Sequence, residues 1–220
     1  MKQVVCRAVL FDLDGVLVDS TPAVARVWSG WANERGFEPE MVVQKAHGRP
    51  SITTIRELLP NANHEEENRE VERREIEDVE GVIPLTGAME LLRALPAERW
   101  TIATSCTRPL ACVRIAAAGL PMPGQIVTAN DIRHGKPDPE PYIKAAEILG
   151  FRTEECIVVE DAPAGICAGK AAGARVIALR TTAGDGELLK AGADWIVKDL
   201  GAVQLQPRRD TDLLTLGLLD

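Results

Sequence analysis

The spacing of apolar and polar positions changes along this chain. The opening run VVCRAVLFD, Val4–Asp12, is β-branched and almost continuously apolar, which predicts a strand buried in a parallel sheet. It runs into acidic residues and Gly15, so any chemistry falls at the carboxyl end of that strand, where ligands of open α/β sheets collect. From Pro22 to about Val79 the period lengthens. Val24, Val27, Trp28 and Trp31 recur at helical spacing, and Glu40–Lys45, Ser51–Leu59 and Glu65–Val79 are further helix candidates. The last contains EEENREVERREIEDVE, with opposite charges three and four apart, and no strand pattern interrupts the stretch.

After Pro84 helix and strand alternate. Helices are predicted over Gly87–Leu95, Leu110–Ala118, Glu140–Leu149 and Gly165–Ala172, with a short one ending in Leu188–Ala191. Strands are predicted over Trp100–Ala103, Gln125–Val127, Cys156–Val159 and Ala174–Leu179, with Trp195–Val197 as a last edge strand. Such alternation implies βαβ units with right-handed crossovers. The fold expected is α/β: a Rossmann-like parallel-sheet core over 1–15 and 84–220, with an inserted α-helical cap over 16–83. After Pro207 the run LLTLGLL is apolar enough to dock either on the core or on another subunit.

The length of 220 residues suits one domain with a large insertion. A net charge of -8 without a concentrated basic patch argues against nucleic acid as a partner, although a local pocket can still bind an anion. Cys6, Cys106, Cys112, Cys156 and Cys167 are scattered and form no CxxC pair, so neither a disulfide framework nor a zinc site is indicated. The short apolar stretch behind Lys2 does not match a signal peptide, and no apolar run is long enough for a bilayer, so no membrane partner is expected and the cytoplasm is the expected location.

Four segments place reactive groups just after predicted strands. In FDLDGVLVDS, Asp12 and Asp14 are two apart, and the turn at Gly15 can aim both at one site. In TIATSCTR, Thr104 and Ser105 end a strand and precede a helix, where a hydroxyl and free backbone N–H groups can hold a phosphoryl oxygen. In HGKPDPEPY, Lys136 offers a fixed positive charge. In CIVVEDAPAGICAGKAAG, the adjacent carboxylates of Glu160 and Asp161 follow an apolar strand and call for a compensating cation. Each segment alone has an ordinary explanation as a turn, a helix cap or a solvated lysine. Their conjunction, in this order, does not.

That order resembles the haloacid dehalogenase superfamily of phosphotransferases over nearly the whole chain. FDLDGVLVDS looks like its nucleophile motif, ATS like its phosphate-binding motif, GKPDPEPY like its lysine motif and VVEDAPAGICAG like its metal motif. The cap segment AHGRPSITTIRELLP, with VVEDAPAG, is most similar to the family's bacterial sugar and hexitol phosphatases and its glycerol-3-phosphate and 2-deoxyglucose-6-phosphate phosphatases. The resemblance implies a Mg²⁺-dependent phosphatase acting on a small sugar or polyol phosphate ester. Asp12 would be the nucleophile and Asp14 the general acid and base. Ser105, with Thr104 as the alternative, and Lys136 would bind the phosphoryl group. Asp12, the Asp14 carbonyl and Asp161 would hold the metal, with Glu160 supporting it. His47, Gly48 and Arg49, between two helical cap segments, would reach the leaving group.

Two other readings share these motifs. A phosphomutase similar to β-phosphoglucomutase would return the phosphoryl group to a sugar hydroxyl instead of water. A non-catalytic phosphate-binding protein would not need Asp12 and Asp14, and both are present. A dehalogenase lacks the second aspartate and the metal site, and a receiver-like switch would not need the large cap.

Overall fold

A computed structural model describes residues 2–46, 50–207 and 212–219. Its centre is a six-stranded parallel sheet. In chain order the strands and helices are β1 (Lys2–Cys6), β2 (Ala8–Phe11), β3 (Val18–Asp19), α1 (Thr21–Arg35), α2 (Pro39–Ala46), α3 (Ser51–Leu58), α4 (His64–Glu77), β4 (Ile83–Pro84), α5 (Ala88–Ala94) and β5 (Trp100–Ala103). They continue with α6 (Arg108–Ala117), β6 (Ile126–Val127), α7 (Glu140–Leu149), β7 (Cys156–Glu160), α8 (Pro163–Ala171), β8 (Arg175–Leu179), α9 (Asp185–Ala191), β9 (Trp195–Val197), β10 (Val203–Leu205) and β11 (Leu214–Leu218).

The large sheet has the order β6-β5-β2-β7-β8-β9. The chain builds outward from β2 through β5 to β6, then crosses to the other side of β2 for β7. This reversal opens a crevice at the carboxyl ends of the strands beside β2. Both faces of the sheet are covered. Val9 and Phe11 pack with Ile102, Ile157 and Ile177 on one side, and Ala8 and Leu10 pack with Val158, Val176 and Tyr142 on the other. The alternation of side chains along β2 thus feeds two apolar layers, which explains why its sequence is apolar without a break.

The predicted single strand Val4–Asp12 is in fact two. Arg7 is a bend whose N–H donates to the Glu155 carbonyl, and only β2 enters the parallel sheet. β1 pairs antiparallel with β11, which pairs in turn with β10, in a separate three-stranded sheet. The apolar tail therefore docks on the chain's own amino terminus. Leu214, Leu216 and Leu218 enter the same core cluster as Val4 and Cys6.

Helices α1–α4 follow β2 and enclose their own apolar cluster of Val27, Trp28, Trp31, Val42, Ile55 and Val71, separate from the two sheet layers. The chain leaves and re-enters the sheet region through the antiparallel pair β3–β4. Val16, Leu17, Val18 and Val82 at this neck are buried with the sheet residues. Asn63 caps α4 by accepting from Glu66 N–H at 3.3 Å, and Arg74 ties α4 to α1 by donating to Glu34. Among the described residues, no helix is long and apolar enough to cross a membrane.

Candidate active site

The crevice beside β2 is a cavity with a floor from the sheet and a roof from the helices. Asp12, Asp14, Thr104, Ser105, Lys136 and Asp161 line the floor, so residues from four separate segments meet there. Thr21, Val24, Trp28, Ser51, Asn68 and Glu72 face it from α1, α3 and α4. His47, Gly48 and Arg49 lie outside the described residues. Their neighbours Ala46 and Pro50 line the cavity.

Asp12 follows directly from β2, and its N–H donates to the Val159 carbonyl at 3.0 Å, which continues the sheet hydrogen bonding by one residue. Its Oδ1 accepts from Lys136 Nζ at 2.7 Å. Lys136 Nζ also donates to Glu160 Oε1 at 2.6 Å. Lys136 is therefore no solvated loop residue: 8% of its side chain is exposed, and burial, which would discharge it, is outweighed by the two carboxylates.

Glu160 is the most heavily bonded group here. Its Oε1 accepts from Lys136 and from the Tyr142 hydroxyl at 2.7 Å, and its Oε2 accepts from the N–H groups of Asp161 at 3.0 Å and Ala162 at 3.2 Å. This packing requires Gly165, because a Cβ there would stand 1.6 Å from Glu160 Oε1.

Asp161 approaches the Asp12–Gly15 turn closely. Gly15 has φ of 81°, and a Cβ on it would lie 2.0 Å from Asp161 Oδ2, so both its backbone conformation and its surroundings demand glycine. Thr182 Oγ1 donates to Asp161 Oδ2, while Oδ1 is buried with no hydrogen-bond partner among the described residues. The carboxylate oxygens of Asp12, Glu160 and Asp161 lie within 4.8 Å of one another. Burial, reinforced by Glu160, pushes Asp12 up to about 7 against the pull of Lys136. Burial and the same carboxylate neighbours push Asp161 well above the ordinary range. An orphaned oxygen in a cluster of mutually repelling buried carboxylates fits a cation, and an all-oxygen donor set suits a hard divalent one. A second acidic group, His134, Asp138 and Glu140, is more exposed, and Glu140 accepts there from the N–H groups of Arg133 and His134.

Asp14 has a different environment. Its Oδ1 accepts from Ser20 Oγ at 2.6 Å, and its Oδ2 accepts from Cys106 Sγ and Arg114 Nη1, both at 3.0 Å. Burial alone would raise its carboxyl, but the Arg114 guanidinium and the bonds from Ser20 and Cys106 hold it below the usual range. Two aspartates two residues apart thus have different surroundings: Asp12 faces Lys136 and the acidic cluster, and Asp14 faces Arg114, Ser20 and Cys106.

Of the two hydroxyls after β5, Thr104 turns back to accept from Cys106 N–H at 3.1 Å and is almost fully buried, whereas Ser105 is half-buried on the cavity wall. Arg114, Cys106, Ser20, Glu75, Tyr142 and Thr182 escaped the reading of the sequence. For Arg114 there was a signal: it shares the helical stripe of Leu110, Ala111 and Ile115, an arginine on an apolar face. Glu75 likewise follows Val71 by one turn on the buried face of α4.

This arrangement has close counterparts. A hexitol phosphatase A of Escherichia coli (strain K12) is 44% identical over 183 residues, covering 81% of this chain and 85% of that protein. A glycerol-1-phosphate phosphohydrolase 2 of Saccharomyces cerevisiae is 38% identical over 211 residues, covering 90% and 84%. The crystal structure of a hydrolase from Pseudomonas syringae superposes with a TM-score of 0.76 at 28% identity, covering 88% of this chain and 94% of that one. The family model of haloacid dehalogenase-like hydrolases matches residues 6–173, from the strand that precedes Asp12 to the helix that follows Asp161, and the chain belongs to that family.

Proposed function

We propose that this protein is a Mg²⁺-dependent phosphatase that hydrolyses a small sugar or polyol phosphate monoester through an aspartyl-phosphate on Asp12. The observation that carries this reading is the convergence of Asp12, Asp14, Ser105, Lys136 and Asp161 on one cavity beneath a roof of helices. The relatives at 44% and 38% identity are named as a phosphatase and a phosphohydrolase of polyol phosphates, which favours water over a second sugar hydroxyl as acceptor.

Asp12 attacks phosphorus in line. A bond forms between an Asp12 carboxylate oxygen and phosphorus while the bond from phosphorus to the ester oxygen breaks. The charge of the phosphate ester entering the cavity favours the protonated form of Asp14, which gives that proton to the departing oxygen and recovers one from the water that then attacks the aspartyl-phosphate, releasing inorganic phosphate and restoring Asp12. Lys136, kept charged by Asp12 and Glu160, neutralises the phosphoryl oxygens, and Ser105 with adjacent backbone N–H groups binds them further. Asp12 and Asp161, with the Asp14 carbonyl, would hold the Mg²⁺, which supplies further positive charge against the phosphoryl group. The four bonds already made by Glu160 suit it to orient Lys136 and to support the metal from outside its ligand set. Helices α1–α4 serve as the cap that excludes water and selects the leaving group.

The test is a panel of phosphate monoesters with Mg²⁺ and a free-phosphate readout, combined with trapping of the acyl-phosphate. Phosphate release with the label on Asp12 is expected, and Asp12→Asn should remain folded without turnover. An acyl-phosphate on another residue, or isomerised sugar phosphate without free phosphate, would refute the reading.

A further inference from the structure

We propose that Arg114 is a positioning residue for Asp14, and that its second contact, on Glu75 of α4, makes that positioning conditional on the seated cap. The inference rests on the phosphatase reading above. Arg114 stands on α6, on the sheet side of the molecule, and only 6% of its side chain is exposed. Its Nη1 is 3.0 Å from Asp14 Oδ2 and 3.1 Å from Cys106 Sγ, while its Nη2 is 3.4 Å from Glu75 Oε1. Glu75 is itself buried, with 8% of its side chain exposed. One guanidinium thus bridges a carboxylate of the sheet region and a carboxylate of the roof.

A buried cation of this kind needs its anionic partners, and a planar guanidinium fixes the direction of each. Asp14 is held by three donors: Ser20 from the neck, Cys106 from the loop after β5, and Arg114 from α6. Of these three, among the described residues, Arg114 alone passes the constraint on to α4. A second tie between the same two elements supports a shared movement: Thr107, just before α6, donates its hydroxyl to Glu72, one turn before Glu75. When α4 is seated, Arg114 is anchored at both ends and the Asp14 carboxyl is aimed. When α4 is displaced, Arg114 loses Glu75 and the aim is lost.

A residue that only glues the cap to the core and one that aims an acid–base group differ in which step they affect. An alkoxide leaving group needs the proton from Asp14, whereas p-nitrophenolate departs without one. Arg114→Met would strand two buried carboxylates and threatens folding, so the variants to use are Arg114→Lys and Glu75→Gln, with thermal melts to establish that they are folded. Rapid-mixing kinetics on glycerol phosphate and on p-nitrophenyl phosphate should show kcat for the alkyl ester falling at least roughly ten-fold, within the range that positioned acid–base groups supply, at nearly constant KM. The burst of p-nitrophenolate should keep its wild-type rate while the later steady state slows, because the attacking water still needs Asp14. Equal loss of the burst and of alkyl-ester turnover would assign Arg114 to phosphate binding or folding, and unchanged kinetics on both esters would make the bridge purely structural. Either result overturns the inference. Failure of the wild-type protein to release phosphate from either ester would instead overturn the phosphatase reading.

Discussion

Nζ of Lys136 lies 2.7 Å from Oδ1 of Asp12, although 124 positions separate the two residues in the chain. The lysine comes from the loop before α7 and the aspartate from the end of β2, and Glu160 at the end of β7 holds the lysine from its other side. Two strand ends and a loop thus converge on one ion cluster. Lys136→Met keeps much of the apolar stem but removes the charge that faces Asp12 and the phosphoryl group. We expect kcat/KM to fall by about a hundred-fold or more for every ester, aryl or alkyl, since the loss falls on the group common to all substrates. Steady-state kinetics on two esters checks this. A loss confined to one leaving group would place Lys136 outside the phosphate site.

Chelation should abolish turnover, and added Mg²⁺ should restore it. Asp161→Asn should raise the Mg²⁺ concentration needed for half-recovery, because it removes the charge from the residue that carries the orphaned Oδ1. Binding has a second readout. Mg²⁺ should raise the melting temperature of the wild-type protein, by linkage of binding to folding, and do so less in the variant. Full activity in excess chelator would contradict the assignment.

Gly165→Ala introduces a methyl group where Glu160 Oε1 stands 1.6 Å away. Glu160 must swing aside, which releases Lys136 and the N–H groups of Asp161 and Ala162 that it holds. A displacement of about 1 Å at reacting groups costs on the order of a hundred-fold in rate. Stability should change less, since alanine suits a helix better by about 1 kcal/mol and partly offsets the overpacking. Paired kcat and melting measurements separate the two. Wild-type kcat in a folded variant would show that Glu160 does not position Lys136.

Arg49 belongs to the segment between Ala46 and Pro50, residues that both line the cavity from the roof. Arg49→Ala should lower kcat/KM for a preferred polyol or sugar phosphate roughly ten- to a hundred-fold, the loss of a charge-assisted hydrogen bond worth about 1.5–3 kcal/mol, and leave p-nitrophenyl phosphate nearly unchanged. Equal losses on both substrates would assign Arg49 to phosphate binding or cap folding.

Much of this architecture is legible from local pattern. Trp100–Ala103, Glu140–Leu149 and Trp195–Val197 lie where the spacing of apolar residues puts them, because a short apolar run or a helical stripe carries its own period. The four chemical segments are legible for a related reason: strand ends of a parallel sheet face one crevice, so residues just after separate strands must meet. The break at Arg7 is not legible in this way. VVCRAVLFD is one apolar run, and it becomes two strands because β1 finds β11, some two hundred residues later, while β2 finds β5 and β7. Nor does the sequence disclose that Arg114 meets Asp14 and Glu75. An arginine on an apolar helix face announces a buried charge, but its partners are set by how α4 docks over α6, and that contact exists only between folded elements. Local periodicity therefore determined the layers and the strand ends that carry the chemistry. Long-range pairing and the seating of one helix on another decided which carboxylate each buried cation serves, because no local pattern encodes a partner distant in the chain.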